Sequence, residues 1–301
     1  MTDYVAYFNG EWVPNSEVKI DSNDRGFLVG DTVFDVERTF NGKGFRLKEH
    51  VDRLYRSLKY ARIDPGLSAE EMLRITEEVI TRNEPDRAEV GDFTIHQFVT
   101  RGPRVARGEP EIPTVGVRVG AVDFNRHAHS YATGVHGVIA KTRSYSPESL
   151  DPKIKHYSRM NFNLAQMEAT DVDPDAWPIM LDLDGNLTEG TGYNVLIVTD
   201  GVIRSPTDRA ILQGVSRGMV FNLARQLDIP VSEEDLQPYD LYTADEAFFT
   251  TTSPCVLPVT KADNREIGDG KPGPITQQLL AAWSETVGLD IVDQAVSFAK
   301  R

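Results

Sequence analysis

The chain has very little cysteine, since Cys255 is the only one among its 301 residues. A single cysteine excludes a disulfide within the chain and is typical of proteins in a reducing compartment. The sequence also lacks an uninterrupted apolar run of about 18 residues, the length that a membrane-spanning helix needs. Its first residues lack the basic start and apolar stretch of a signal peptide. These absences predict a cytoplasmic protein without a membrane segment, in which Cys255 is a packing residue.

Positive charge is scarce as well. Lys and Arg number 32 against 46 Asp and Glu, which gives a formal net charge of −14. Proteins that bind nucleic acid need a positive surface to displace counterions from phosphates, so this composition argues against such a partner. The histidines include the pair His127 and His129 but no His-Glu-x-x-His or comparable ligand spacing. A metal hydrolase is therefore not favoured.

The first 122 residues contain the patterns of a small α/β domain. Asn9-Gly10 lies between two short alternating stretches, which is typical of a β-hairpin, and a second hairpin is expected at residues 41–44. Apolar residues recur every three or four positions over residues 47–63, which indicates an amphipathic helix. Ser68 and Glu71 form a capping-box pattern at the start of another helix. Strands are expected at residues 93–100 and 114–122.

Residues 123–133 are polar and unpatterned, so we place an interdomain linker there. Beyond it, predicted strands alternate with predicted helices through residues 134–301. The predicted strands are 135–140, 178–183, 194–198 and 246–251, and the predicted helices are 159–169, 215–227 and 275–287. The sequence therefore predicts an α/β (α+β) protein with a smaller domain at 1–122 and a larger domain at 134–301, as its length favours.

Two reactive side chains, Lys155 and Glu189, stand 189 − 155 = 34 residues apart. An amine that condenses with an aldehyde and a carboxylate that can lie against a ring nitrogen are the groups with which an enzyme uses pyridoxal 5′-phosphate. Taken alone, neither residue identifies a site. A surface lysine next to Lys153 and a solvated glutamate in a turn are the ordinary interpretations.

Further motifs occur in a fixed order along most of the chain. They are Asp24-Arg-Gly26, Glu49-His-Val-Asp-Arg53-Leu, Thr100-Arg-Gly102, Leu212-Gln-Gly214-Val-Ser216 and Thr250-Thr-Thr-Ser253. With the lysine and glutamate segments they resemble the class IV aminotransferases, the fold type IV pyridoxal-phosphate enzymes, from about Tyr7 to about Pro274. The resemblance implies a small N-terminal α/β domain, a larger C-terminal domain of mixed strands and helices, pyridoxal 5′-phosphate in the cleft between them, and a homodimer.

The resemblance implies that Lys155 is the catalytic residue. It carries the cofactor as an internal aldimine, on the strand that bears the reactive lysine, and it moves a proton between substrate and cofactor. Glu189 keeps the pyridine nitrogen protonated, and Asn194 orients Glu189. Arg159 stands where branched-chain enzymes tend to have tyrosine and (R)-amine transaminases tend to have tryptophan. It is a candidate for binding the phenolic oxygen of the cofactor ring.

The remaining cofactor-binding residues implied by the resemblance concern mainly the phosphate group. They are Arg53, Leu212, Gly214, Val215, Ser216, Thr251, Thr252 and Ser253. The turn at Gly214 stands directly before the helix predicted at residues 215–227, and helix N-termini bind anions. The alternative for Arg53 is an exposed helix arginine that pairs with Glu49.

The substrate-binding residues that we expect are Val29, Phe34, Val36, Arg107, Thr252 and Ser253. Phe34 and Val36 resemble the strand of D-amino-acid aminotransferases in which an aromatic residue and a valine line the pocket, whereas branched-chain enzymes usually carry glycine in place of Val36. Arg107, five residues after Gly102, resembles the loop arginine with which (R)-selective amine transaminases pair a keto acid's carboxylate. The Arg-x-His element of D-amino-acid enzymes is absent from this loop.

We therefore expect a transaminase that moves an amino group from an (R)-amine or a D-amino acid to a 2-oxo acid such as pyruvate. A branched-chain L-amino-acid aminotransferase is the nearest alternative. Lys155-His156 followed by Arg159 also resembles the aminodeoxychorismate lyase branch of the family. A catalytically silent binding protein is disfavoured by the presence of both Lys155 and Glu189.

Overall fold

The computed structural model describes residues 2–299, which form two compact units. The first unit contains the chain up to Val122 together with Ile154–Arg159, and the second contains Asp123–Lys153 and the chain from Met160 onward. Lys155 therefore belongs to the first unit, although most of its neighbours along the sequence belong to the second. Among residues 2–299, no helix is long and apolar enough to cross a membrane.

The first unit is built on an antiparallel sheet of six strands in the order β2-β1-β6-β5-β3-β4. The strands are β1 (Val5–Phe8), β2 (Glu11–Pro14), β3 (Thr32–Phe40), β4 (Lys43–Gly44), β5 (Phe93–Thr100) and β6 (Thr114–Ala121). The helices are α1 (Arg25–Val29), α2 (Leu47–Ala61), α3 (Ala69–Asn83) and α4 (Arg87–Val90), and 3₁₀ turns lie at Asn15–Glu17 and Glu84–Asp86. The hairpins predicted at Asn9-Gly10 and at residues 41–44 are confirmed. The two helices predicted after them and the strands predicted at residues 93–100 and 114–122 are confirmed as well.

Local chemistry explains these elements. Asn9 and Gly10 adopt positive φ angles, which a tight hairpin requires. Ser68 and Glu71 form the predicted capping box, because the Glu71 amide donates to Ser68 Oγ at 3.2 Å and the Ser68 amide donates to Glu71 Oε2 at 2.8 Å. Almost every residue of β3 is buried, since α2 and α3 cover one face of the central strands. The opposite face of β3 carries Phe34, over which the amine of Lys155 lies.

The second unit is built on an eight-stranded sheet in the order β11-β10-β9-β12-β13-β7-β8, with β14 paired to β13. The strands are β7 (Val135–Ile139), β8 (Trp177–Ile179), β9 (Asn194–Thr199), β10 (Val202–Pro206), β11 (Val231–Glu234), β12 (Glu246–Thr251), β13 (Cys255–Ala262) and β14 (Arg265–Glu266), and the helices are α5 (Ser130–Thr133), α6 (Met160–Val172), α7 (Val215–Gln226), α8 (Pro238–Tyr242), α9 (Pro274–Val287) and α10 (Ile291–Ala299). The pairs β10–β11, β13–β7 and β7–β8 are parallel and the others are antiparallel.

The segment at residues 123–133 differs from the unpatterned polar stretch that the sequence predicts. It contains a 3₁₀ turn, Phe124–Arg126, and the short helix α5. Phe124 and Tyr131 are buried, and the ring of Phe124 lies 5.7 Å from that of Phe298 on α10. Apolar residues scattered among polar ones hold this segment against its own unit, and its role as an interdomain linker stays a prediction.

Candidate active site

Lys155 lies on a short extended segment that pairs with β3. The Phe34 amide donates to the Lys155 carbonyl at 3.0 Å, and the Tyr157 amide donates to the Thr32 carbonyl at 3.0 Å. From the other side, Ser57 Oγ on α2 accepts a hydrogen bond from the Lys155 amide at 3.2 Å. The segment makes only an isolated bridge, and not the regular strand that the resemblance implies. Its backbone is nevertheless fixed on both sides of the lysine.

The amine of Lys155 is set apart from that of the nearby Lys153. Lys155 Nζ lies 4.7 Å from the centroid of the Phe34 ring, which itself stacks on Tyr157 with 4.1 Å between centroids. Lys153 Nζ lies 3.1 Å from a carboxylate oxygen of Asp151. The structure thus places the amine of Lys155 on an aromatic wall and that of Lys153 in an ordinary surface ion pair.

The neighbourhood of Lys155 is positively charged. Burial, and then the charges of Arg118 and Lys155, lower the pKa of His96 to about 4. Burial, and then the charges of Arg159 and Lys155, lower the pKa of His156 to about 4. Both imidazoles are therefore neutral at pH 7, and this side of the unit favours the approach of an anion.

Arg53 is buried in α2, so the alternative of an exposed helix arginine was wrong. Its Nε and Nη2 donate to the two carboxylate oxygens of Asp35 on β3 at 2.8 and 2.6 Å. His50 Nδ1 lies 2.7 Å from the same carboxylate. Burial raises the pKa of Asp35, but the charges of Arg53 and His50 outweigh it and hold that pKa below its usual value. Arg53 is thereby fixed in one orientation.

In the second unit, three predicted cofactor residues meet at one point. Glu189 Oε2 accepts hydrogen bonds from the Leu212 amide at 3.0 Å and from Asn194 Nδ2 at 3.4 Å. Asn194 Nδ2 also donates to the Leu212 carbonyl at 2.9 Å. Glu189 and Asn194 are buried. The predicted role of Asn194 in orienting Glu189 therefore has the geometry that it needs.

The start of α7 adjoins this cluster. Gly214 is the N-cap residue, its turn is not capped by a side chain, and Val215 and Ser216 are the first two helical residues. A Cβ atom at Gly214 would lie 2.1 Å from Asn194 Oδ1, so only glycine allows the turn to approach the asparagine so closely. The first amides of this helix and the Ser216 hydroxyl form a site suited to phosphate.

The loop of Thr251, Thr252 and Ser253 lies at the same end of the sheet. Thr250 on β12 is the register partner of Asn194 on β9, and the Thr251 hydroxyl donates to the Gly192 carbonyl at 2.8 Å. The β12–β13 turn therefore begins beside the residues that hold Glu189. Nine of the predicted cofactor residues belong to the second unit. Besides Glu189 and Asn194, which begins β9, they lie at or just before the start of α7 (Leu212, Gly214, Val215 and Ser216) or in this turn (Thr251, Thr252 and Ser253).

The predicted substrate residues of the first unit do not all come together. Phe34 and Val36 lie two residues apart on the same face of β3, the face over which the Lys155 amine lies. Val29, at the end of α1, is 58% exposed. Arg107 lies on the exposed β5–β6 loop and forms no hydrogen bond or ion pair with a residue that the structure describes.

Sequence reasoning missed His96 and Arg118 near Lys155. In the sheet they are register partners on β5 and β6, and His96 is also the partner of Val36 on β3. The detectable signal was a basic side chain inside each of two otherwise apolar strand patterns. Their proximity depends on strand register, which the sequence does not display.

The first unit holds a lysine amine over an aromatic ring, and the second holds a buried carboxylate beside a glycine turn and a helix start. These are the kinds of group that a pyridoxal-phosphate enzyme uses. The chain belongs to the class IV aminotransferases, since the family model described as amino-transferase class IV matches residues 32–262. The fold type IV architecture and the aminotransferase activity expected from the sequence are thus confirmed.

Two curated relatives carry different substrate names. The chain is 35% identical over 281 residues to a putative branched-chain-amino-acid aminotransferase of Methanocaldococcus jannaschii, covering 91% of this chain and 93% of the relative. It is 33% identical over 286 residues to a D-alanine aminotransferase of Staphylococcus aureus, covering 93% and 97%. Among solved structures, the branched-chain amino acid aminotransferase of T.th. with pyridoxamine 5′-phosphate matches with a TM-score of 0.83, 27% identity and coverage of 96% and 95%.

The cofactor of this enzyme is pyridoxal 5′-phosphate. The residues of the chain fit it. Gly214 lets the start of α7 lie against Asn194, and no side chain caps the first amides of this helix, which suits them to bind a phosphate. The buried carboxylate of Glu189 is held by Asn194 and Leu212 in the way that a partner for a protonated ring nitrogen requires.

Proposed function

We propose that this class IV aminotransferase moves an amino group from an (R)-amine or a D-amino acid to a 2-oxo acid such as pyruvate. The observation that carries the proposal is Val36, which stands beside Phe34 on the face of β3 that bears the Lys155 amine. A valine side chain narrows the space there, where a glycine would leave room for a large branched substrate. The likeness to a D-alanine aminotransferase of Staphylococcus aureus supports the same choice.

Pyridoxal 5′-phosphate, when bound, supplies an electron sink for the electrons left when the substrate loses its α-proton. We assign to Lys155 the covalent attachment of the cofactor and the transfer of that proton. Phe34 beneath the amine and the fixed backbone keep the nitrogen of Lys155 in one place, from which it would take up the proton and return it. Glu189 would hold a proton on the ring nitrogen of the cofactor, and Asn194 and Leu212 keep the Glu189 carboxylate in position.

We assign the other site residues by their chemistry. Arg53 and the first turn of α7 bind the phosphate, Arg159 binds the phenolic oxygen, and Arg107 approaches the substrate carboxylate from its loop. The residues that complete the phosphate and substrate contacts are Val29, Gly214, Val215, Ser216, Thr251, Thr252 and Ser253. A buried ion pair with Asp35 leaves the net charge of Arg53 largely compensated, so the amides of α7 supply much of the attraction for the phosphate.

Half-reactions test the choice of donor. The holoenzyme is mixed with (R)-1-phenylethylamine, D-alanine or L-leucine, and loss of the absorbance band of the bound cofactor is followed. We expect at least one of the first two to remove the band faster than L-leucine does. Conversion of L-leucine alone would contradict the proposal and would favour the branched-chain alternative, which the relative from Methanocaldococcus jannaschii supports.

We also propose that the enzyme is a cytoplasmic homodimer. Three consecutive apolar residues of α1, Phe27, Leu28 and Val29, are 72%, 44% and 58% exposed. Exposed apolar patches of this kind are characteristic of protein interfaces. Light scattering of the purified protein that gives only the mass of a single chain, 33.6 kDa, would contradict the dimer.

A further inference from the structure

A cavity of about 400 Å³ lies in the first unit, against the face of the sheet that carries Phe34. Most of its wall is apolar or aromatic, and its one charged group is the guanidinium of Arg118. Its lining includes Val18, Ile20, Phe27, Phe98, Arg118 and Tyr157. The volume and the combination of an apolar wall with a few polar side chains and one charged group are those of a small-molecule site.

The cavity adjoins Lys155 through two rings. Tyr157, which lines the cavity, stacks on Phe34 at 4.1 Å, and the Lys155 amine lies 4.7 Å from the centre of that same Phe34 ring. Tyr157 therefore lines the cavity and also contacts the ring that lies beside the reactive amine. The cavity and Lys155 belong to the same compact unit.

Strand register places Arg118 on this face. Val36 on β3, His96 on β5 and Arg118 on β6 form one row across the sheet, and side chains in such a row point to the same side. Gly116 lies two residues before Arg118, and a Cβ atom there would meet the Phe98 ring at 2.2 Å. The missing side chain lets Phe98 lie close against β6 and form part of the apolar wall.

The guanidinium of Arg118 is half-buried and forms no hydrogen bond or ion pair with any residue between 2 and 299. The charged groups that act most strongly on neighbouring His96 are Arg118 itself and Lys155, both positive. A guanidinium withdrawn from water without an anion costs free energy, which a bound anion recovers. Its planar fork matches a carboxylate with two hydrogen bonds.

We propose that Arg118 binds the carboxylate of the amino donor and of the 2-oxo acid, while the substrate's side chain lies against Phe27, Phe98 and Tyr157. This assignment rests on the proposed transaminase function and narrows its substrate class. The donor is an amino acid with an apolar side chain and not an uncharged amine, because an uncharged amine leaves the guanidinium without a partner. Arg118 is thus a specificity-determining residue on β6, and it binds the substrate carboxylate together with Arg107, which the proposed function assigns to the same group from an exposed loop.

Binding of a non-reacting carboxylate to the holoenzyme tests Arg118 directly. The probes are valerate and its neutral amide, valeramide, which are unbranched and differ in charge but little in shape, and the readout is calorimetry. We expect the wild type to bind the acid more tightly than the amide. Arg118→Met weakens acid binding by about tenfold or more and leaves amide binding unchanged, and Arg118→Lys gives an intermediate loss. Arg74→Gln, which removes an exposed arginine of α3, behaves as wild type.

Equal binding of acid and amide by the wild type, or equal acid binding by wild type and Arg118→Met, overturns the proposal. Because Arg118 makes no hydrogen bond or ion pair with a residue that the structure describes, neither substitution removes such a bond, and both variants are expected to fold. Failure of the proposed function is a separate result. If no donor changes the cofactor band of the wild type, the transaminase assignment fails, while the acid and amide affinities still report on Arg118.

Discussion

At the residue scale, Asp35 shows how a single buried carboxylate can fix a cofactor residue. It is fully buried on β3, and its two oxygens are shared by Arg53 and His50 of α2. The motif Glu49-His-Val-Asp-Arg53-Leu identified Arg53 from the sequence. It did not identify Asp35, which lies 18 residues earlier and is one of many acidic residues in an acidic chain. A hydrogen-bond partner on another element leaves no pattern in the sequence around the residue that it binds.

Removing the charge of Asp35 should destabilise the fold. Asp35→Asn leaves the guanidinium of Arg53 buried without its anion, and breaking one partner of a buried pair costs about 3–5 kcal/mol. The control is Asp52→Asn on α2, where an exposed ion pair with Lys48 is worth at most about 1 kcal/mol. Urea unfolding at pH 7 measures both. If Asp35→Asn costs no more free energy of unfolding than Asp52→Asn, the pair does not fix Arg53 as described.

At the element scale, the predictable elements were those with a local signal. The helices α2, α3, α6, α7 and α9 have apolar periodicity or caps, and the hairpins have Asn-Gly or Asp-Gly turns. The strands β10, β11, β13 and β14 and the helices α8 and α10 were not predicted. Pro258 interrupts the apolar run of β13, a feature that usually argues against a strand. The four residues of β11 become a strand only by parallel pairing with β10.

The start of α7 carries a prediction of its own. Gly214→Ala places a Cβ against Asn194 Oδ1 and should displace the asparagine that holds Glu189, so we expect the affinity of the apoenzyme for pyridoxal 5′-phosphate to fall by about tenfold, or roughly 1.4 kcal/mol. Gly218→Ala lies in the same helix, where an added Cβ meets nothing within 4 Å. This control should keep its cofactor affinity and gain about 0.5–1 kcal/mol of stability.

Titration of each apoenzyme with the cofactor, together with thermal unfolding, separates these outcomes. Loss of cofactor affinity in both variants would mean that the helix as a whole is sensitive. Unchanged affinity in Gly214→Ala would mean that the approach of Gly214 to Asn194 has no bearing on the site.

At the scale of the whole molecule, the family, the mixed α/β class and the cofactor followed from motifs spread over the chain. The membership of Ile154–Arg159 in the first unit did not follow, because this segment is short and its partner strand β3 lies more than 100 residues earlier. The row of Val36, His96 and Arg118 was invisible for the same reason. Sequence patterns report on residues that are close along the chain, whereas a site depends on residues that are distant along the chain and close in space.

The central claim is that the amine of Lys155 holds the cofactor, and chemical trapping tests it most directly. Borohydride reduction of the holoenzyme fixes the cofactor covalently on the lysine to which it is attached, and mass spectrometry of a digest then locates it. We predict that the phosphopyridoxyl group is on Lys155 in the wild type and in Lys153→Ala, and that Lys155→Ala is unlabelled. A label on Lys153 or any other lysine of the wild type, or a labelled Lys155→Ala protein, would contradict the account.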